Sequence, residues 1–256
     1  MSQDEIRGGA VRDLFRDLWD LGPFREYLPS SVGGSGGCTA DVLAVLDTVA
    51  YEHLPLSLAV GITGALFILP VAGHAAPDVA SETLGRVTGD EVWLGGMMLT
   101  EPSCGSDLLN ACSTAERSEG SIRLRGMKHW SGLTGHADSW LVFARDDDAR
   151  RSKSMGFYVV PPGAVRDGFR VEEYYSAFGL APIPYGRTSF DAEIPGTHRL
   201  GDSLPFTKVM GGILCGSRKV FAGMAHGFAR RCLDEAVRHT EERAAYGGTL
   251  SDLDQV

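Results

Sequence analysis

Residues 99–107 read LTEPSCGSD, and residues 126–138 read GMKHWSGLTGHAD. Neither stretch follows the alternation of a half-buried strand or the three-to-four spacing of an amphipathic helix. Pro102 and Gly105, set among small hydroxyl and acidic residues, describe a shaped loop. The second stretch places Lys128, Trp130, His129 and His136 among glycines. Two such polar loops, on either side of a short hairpin-like segment, take their meaning from the elements around them.

Those elements read as strands. VWLGGMML (92–99), SIRLRGMKHW (121–130), SWLVFAR (139–145), MGFYVVPP (155–162), FRVEEYYS (169–176) and GRTSFDAEI (186–194) are short runs with extended or alternating apolar positions. Gly, Pro and Asp occupy the joints, a pattern that predicts an antiparallel sandwich or barrel and not strand–helix repeats. Before them the chain is helical. Arg12 to Leu21 carries Leu14, Phe15, Leu18 and Leu21 on one stripe, and GPFREYLPSSVGGSGG then interrupts it. A second helix starts at Cys38 or Thr39, with Val42, Leu43, Leu46, Val49 and Ala50 at helical spacing, and Pro77 to Val87 forms a further short one. From Lys208 the pattern is helical again, with Val209, Ile213, Cys215, Val220, Met224, Phe228, Cys232 and Val237 spaced as one long helix. Such a helix needs another element to bury its apolar stripe. The sequence after it offers none, so the missing element is expected either from more chain or from the assembly. The fold class is therefore α+β and multidomain: an N-terminal helical domain over 1–91, a middle antiparallel β barrel or sandwich over 92–205, and the first part of a C-terminal helical bundle over 206–256.

Composition narrows the function. A formal charge of −9, from 24 Lys plus Arg against 33 Asp plus Glu, disfavours nucleic acid and anionic membrane as partners. Five scattered cysteines with no CxxC pair read as reduced and cytoplasmic, and the polar start MSQDEIRGG does not read as a signal peptide. Leu54 to Gly73 is uncharged and about long enough to span a bilayer. Pro55, Pro70, Gly61 and Gly64 interrupt it and no basic cluster flanks it, so a buried helix is the preferred reading. The histidines lack metal-ligand spacing, and Asp146 to Asp148 reads as an exposed turn.

TEPSCGSD at 100–107, GMKHWSGLTGHAD at 126–138, GRTSFDAEIP at 186–195, Arg218 early in the long helix and ERAAYGG at 242–248 together resemble the acyl-CoA dehydrogenase family of flavoproteins. The corresponding family motifs are TEPxAGSD, GxKxWITNGxxAD and ERxxFGK. The resemblance implies FAD lying between a β domain and a helical bundle. It also implies further helices beyond this chain, carrying the catalytic Glu and a Gly-rich stretch for the FAD adenosine. No catalytic residue is assigned within 1–256: Glu101 belongs to the flavin motif, and Asp234, Glu235, Glu241 and Glu242 lie away from the acyl site.

By the same resemblance, Leu99 and Thr100 contact the flavin ring, Ser106 meets the pyrophosphate, and Gly105 lets the backbone approach. Without it, the same loop reads as a β-turn with Ser106 and Asp107 as caps. Trp130 covers part of the isoalloxazine, or is a buried core Trp. Ser131 stands where the family has Ile, and Gly132 where it has a hydroxyl residue near flavin N5, so that side-chain donor is lost. Arg243 reaches an FAD phosphate across a subunit interface, or is a surface Arg beside Glu241 and Glu242. Tyr246 replaces the family's Phe, and Asp254 its Gln, with Gln255 one step off. The implied activity is α,β-dehydrogenation of an acyl group carried on CoA or an acyl-carrier protein. A helical partner in a hetero- or homo-oligomer supplies the base, and a second redox protein or oxygen takes the electrons. The alternatives are a non-catalytic structural subunit and a fragment of an intact dehydrogenase.

Overall fold

The computed structural model describes residues 10–146, 155–201 and 204–253. Helix α1 (Ala10–Trp19) ends where Gly22 adopts a left-handed φ of 64° and its N–H donates to Trp19 O at 2.9 Å. That stop falls before Leu21, which is 78% exposed and not part of the buried stripe. Trp19 takes the place expected of it, packed with Phe24 beside Phe15 in the core.

Cys38 precedes helix α2 (Thr39–Thr63), its own N–H donating to the Asp41 carboxylate at 2.7 Å. The helix kinks at His53, two residues before Pro55, because the proline has no N–H to bond the Tyr51 carbonyl and its ring clashes with that carbonyl one turn back. His53 Nδ1 takes the Leu56 N–H at 3.0 Å and so starts the second half afresh. A π-helical turn (Gly64–Ile68) leads into α3 (Leu69–His74), and α4 (Pro77–Gly85) follows. Thr39–His74 is long and apolar enough to cross a membrane, and 67% of its most apolar window is buried inside the protein. Its pattern is that of a core helix.

The β region is one curled sheet of seven strands: β1 (Gly95–Met98), β2 (Thr114–Arg117), β3 (Ser121–Gly132), β4 (Ser139–Asp146), β5 (Met155–Val160), β6 (Phe169–Tyr175) and β7 (Tyr185–Pro195). Most pairings are antiparallel, as expected. Two are not: β1 and β2 both run parallel to β4, with Gly95–Met98 beside Ser139–Val142 and Thr114–Ala115 beside Arg145–Asp146. A short helix, α5 (Pro162–Gly168), joins β5 to β6. The helical layer closes on the sheet through glycine: a Cβ on Gly95 would lie 2.4 Å from the Phe67 ring, and Thr63 Oγ1 donates to Gly95 O at 3.0 Å.

Helix α6 (Phe206–Glu242) lies along α2. Its buried face is Val209, Met210, Ile213, Ser217, Val220, Gly223, Met224 and Gly227. Thus α2 covers one stripe of α6, contrary to the expectation that nothing in the chain does so. Cys215, Phe228, Cys232 and Val237, expected on that stripe, are exposed. A two-strand ribbon, β8 (Ala244–Ala245) with β9 (Gly248–Thr249), follows α6.

Candidate functional site

The two loops are tied together by a buried ion pair. Lys128 Nζ on β3 lies 2.7 Å from Glu101 Oε1 and donates to Leu99 O at 3.1 Å. Glu101 also accepts the N–H groups of Cys112 at 2.6 Å and Ser113 at 3.0 Å. Burial alone would raise the Glu101 carboxyl, but the hydrogen bond and charge of Lys128, with the donors at 112 and 113, hold it below its ordinary value. Desolvation pulls the Lys128 ammonium down. One residue on, the His129 N–H donates to Thr100 O at 2.9 Å, so the TEP loop is bonded along the strand that carries Trp130.

Between Lys128 and Ser131 the β3–β7 register slips, pairing Lys128 with Thr188 but Ser131 with Gly186. The extra residue makes a β-bulge, which re-aims a side chain. Trp130 sits in it at φ 59°, backbone rarely adopted by a bulky residue. The indole is pushed outward: Trp130 is 56% exposed and is not a core residue. It stacks on Tyr175 with ring centroids 4.5 Å apart and meets the His129 ring edge-on at 4.8 Å, while the Tyr175 hydroxyl and His129 Nδ1 are hydrogen-bonded at 3.1 Å.

Beside this cluster a cavity of about 230 Å³ opens between the sheet and the helices α2 and α6. Leu99, Thr100, Trp130, Ser131 and Gly132 all line it, so the fold brings five of the motif residues to one place. Its helical wall includes Ile62 and Leu66 with Ser217, Phe221 and Met224, and no lining residue is a carboxylate. Ser131 is buried, and its Oγ has no hydrogen-bond partner. A Cβ on Gly132 would lie 2.6 Å from Ile62 Cδ1, so the Ile62 methyl fills the space that a side chain at 132 would use.

The remaining motif residues lie outside that lining. Gly105 and Ser106 are exposed, nothing approaches within 4 Å of a Cβ placed on Gly105, and Arg243 is exposed at the C-terminal end of α6. Two of the acids set aside have structural partners: Asp234 accepts the Tyr51 hydroxyl at 2.7 Å, and Glu235 pairs with Arg231 and Arg238. Asp146 is not in an exposed turn; it is buried at the end of β4 and bonded to Arg199 at 3.1 Å. Asp147, Asp148, Asp254 and Gln255 lie outside the described residues. Among the described residues no group of His, Cys, Asp or Glu could hold a metal, and all five cysteines are unpaired. Sequence reasoning missed Tyr175, Tyr185 and Ile62, whose roles arise from register and helix packing.

Residues 96–192 match the family described as acyl-CoA dehydrogenase, middle domain. Benzylmalonyl-CoA dehydrogenase from Aromatoleum aromaticum is 33% identical over 97% of the chain, which spans 64% of that relative's length. Among solved structures, butyryl-CoA dehydrogenase from Megasphaera elsdenii superposes with a TM-score of 0.87 at 22% identity, over 95% of this chain and 64% of that one. The prolyl acyl carrier protein oxidase AnaB superposes at 0.85 with 18% identity, over 95% and 65%. These two likenesses establish the fold.

Proposed function

From the match of residues 96–192 to the acyl-CoA dehydrogenase middle domain and the likeness to a benzylmalonyl-CoA dehydrogenase, we propose that this chain is the flavin-holding part of an FAD-dependent enzyme that desaturates an acyl thioester between Cα and Cβ. The observation that carries the reading is the cavity between sheet and helices, with Leu99, Thr100, Trp130, Ser131 and Gly132 on its wall. These residues fit a flavin: the unpartnered Ser131 hydroxyl supplies a polar contact, and the outward indole supplies an aromatic surface. Bound there, FAD would serve as the hydride acceptor. The chain's own residues do the holding, with Gly105 and Ser106 reaching the pyrophosphate and Arg243 a phosphate across a subunit boundary.

The substrate is an acyl group on CoA or on a carrier protein, which present the same phosphopantetheine arm. Abstraction of the α-proton needs a base within about 3 Å of that carbon. The cavity wall has no carboxylate, and the family resemblance implies that the base is a Glu delivered by helices that seat on α6. Electrons leave to a second redox protein or to oxygen. The unpaired cysteines fit a reducing, cytoplasmic setting. A non-catalytic structural subunit is the second reading, favoured by the missing carboxylate and by Gly132.

The test is spectroscopic. The purified chain, mixed with FAD and desalted, is expected to stay yellow and to show no flavin bleaching when mixed anaerobically with butyryl-CoA or an acyl-carrier substrate in a stopped-flow cell. A colourless chain supports the structural subunit. Rapid bleaching by the chain alone places the base within it and overturns the division of labour.

A further inference from the structure

No spacing in the sequence marks Tyr175, yet it is the residue against which Trp130 rests. It ends β6, where its register partner on β7 is Tyr185, and Tyr185 is in turn paired with Gly132 on β3. A row of three residues thus runs across the sheet from the cavity wall to Tyr175. The bulge lifts Trp130 out of β3, and its indole lies on the Tyr175 ring at 4.5 Å with a tilt of 35°. The Tyr175 ring also meets His129 at 5.1 Å. Trp130, His129 and Tyr185 all line the cavity and Tyr175 does not. Tyr175 thus meets the indole from outside the cavity lining.

An exposed tryptophan in left-handed backbone keeps one orientation only if its surroundings hold it. Here the holding groups are the Tyr175 ring and, through the hydroxyl-to-Nδ1 bond, the edge-on His129. We propose that Tyr175 is a positioning residue, which fixes Trp130 so that the indole presents a single face to a planar heteroaromatic ring in the cavity. The inference rests on the flavin reading and adds to it the residue that pre-orients the platform. A ring docking onto a fixed indole orders nothing further on binding, whereas one docking onto a loose indole must immobilise it first.

Tyr175→Leu and Tyr175→Phe, compared with the unaltered chain, separate the ring from the hydroxyl. The signal of Trp130 is isolated by subtracting the emission of Trp130→Phe, and acrylamide quenching reports its accessibility before any ligand is added. FAD is then titrated and followed by its own fluorescence. In Tyr175→Leu, Trp130 is expected to become more accessible to acrylamide and FAD to bind roughly five- to tenfold more weakly, the scale of a lost aromatic pair. Tyr175→Phe, which keeps the ring, is expected to restore most of both. Unchanged quenching of Trp130 in Tyr175→Leu overturns the positioning role whatever FAD does. Loosened Trp130 with unchanged FAD affinity overturns its link to the ligand. Failure of the unaltered chain to take up FAD overturns the flavin reading, and with it the ligand class.

Discussion

Lys128 Nζ and Glu101 Oε1 lie 2.7 Å apart, with the two side chains 0% and 3% exposed, and this contact joins the TEP loop to the strand that carries Trp130. Removing one member of such a pair strands the other in a dry interior. Without Glu101, Lys128 keeps Leu99 O as an acceptor; without Lys128, Glu101 keeps two N–H donors. Glu101→Gln is therefore expected to cost about 3 kcal/mol of unfolding free energy and Lys128→Met less. Urea unfolding of both variants checks the order, and equal or reversed losses would contradict it.

The same pair sets an acid limb. Glu101 is held below its ordinary value of 4.5 in the folded chain, with burial opposing and Lys128 and the backbone donors prevailing. The unfolded carboxyl thus binds protons at higher pH than the folded one. Its contribution is complete above the unfolded value and is lost as pH falls through the folded value. The urea midpoint of the unaltered chain should drop more steeply than that of Glu101→Gln in acid, the two curves converging. Parallel curves would show that Glu101 carries no such linkage.

The α2–α6 contact makes a prediction about glycine. A Cβ on Gly227 would lie 2.1 Å from Asp47 O, and one on Gly223 would lie 2.9 Å from Leu43 O, so the helices meet backbone to backbone. Around Gly211, on the same helix, a Cβ meets nothing within 4 Å. Gly227→Ala should destabilise by about 2 kcal/mol through overpacking. Gly211→Ala should stabilise by up to about 1 kcal/mol through helix propensity. Thermal unfolding that moves both variants in the same direction would refute the packing argument.

Gly132 and Ile62 form a second packing test. Thr at 132 brings a Cβ within 2.6 Å of Ile62 Cδ1. That atom ends a flexible side chain, so the clash is relieved by shortening Ile62. Gly132→Thr alone is expected to lose about 1–2 kcal/mol, and Gly132→Thr with Ile62→Ala to recover part of it, giving a coupling of at least about 0.5 kcal/mol in a double-mutant cycle. Strict additivity would show that the two residues do not share the space.

The legible parts of the fold were those written in local pattern. The start of α2 at Thr39, the strand positions and the span of α6 follow from periodicity and breakers in the sequence. Leu21 misled because the stripe runs on into the turn, closed by Gly22, that ends the helix. The strand TAER at 114–117 is too short and polar to announce itself, and its parallel run beside β4 depends on pairing across the chain. In the site, Trp130 and its neighbours stood out by motif. Tyr175 and Ile62 carry no motif, since one is placed by strand register and the other by the approach of a helix.

The last prediction concerns the face of α6 that α2 leaves bare. Leu214, Phe221 and Phe228 recur every seven residues, with Arg218, Ala225 and Cys232 interleaved at steps of four and three. That is the spacing of a helix–helix seam. Phe221 is 57% exposed and Phe228 45% exposed, and Leu214 is half-buried. A row of this kind in water drives association, and the helical partner of the proposed function would occupy it. The chain purified alone is expected to self-associate, and Phe221→Glu with Phe228→Glu to shift it to a monomer without loss of helical content, because neither side chain belongs to the face packed on α2. Light scattering coupled to gel filtration makes the measurement. A monodisperse monomer of the unaltered chain at tens of micromolar would show that the row needs no cover, and the case for a partner on α6 would then fall.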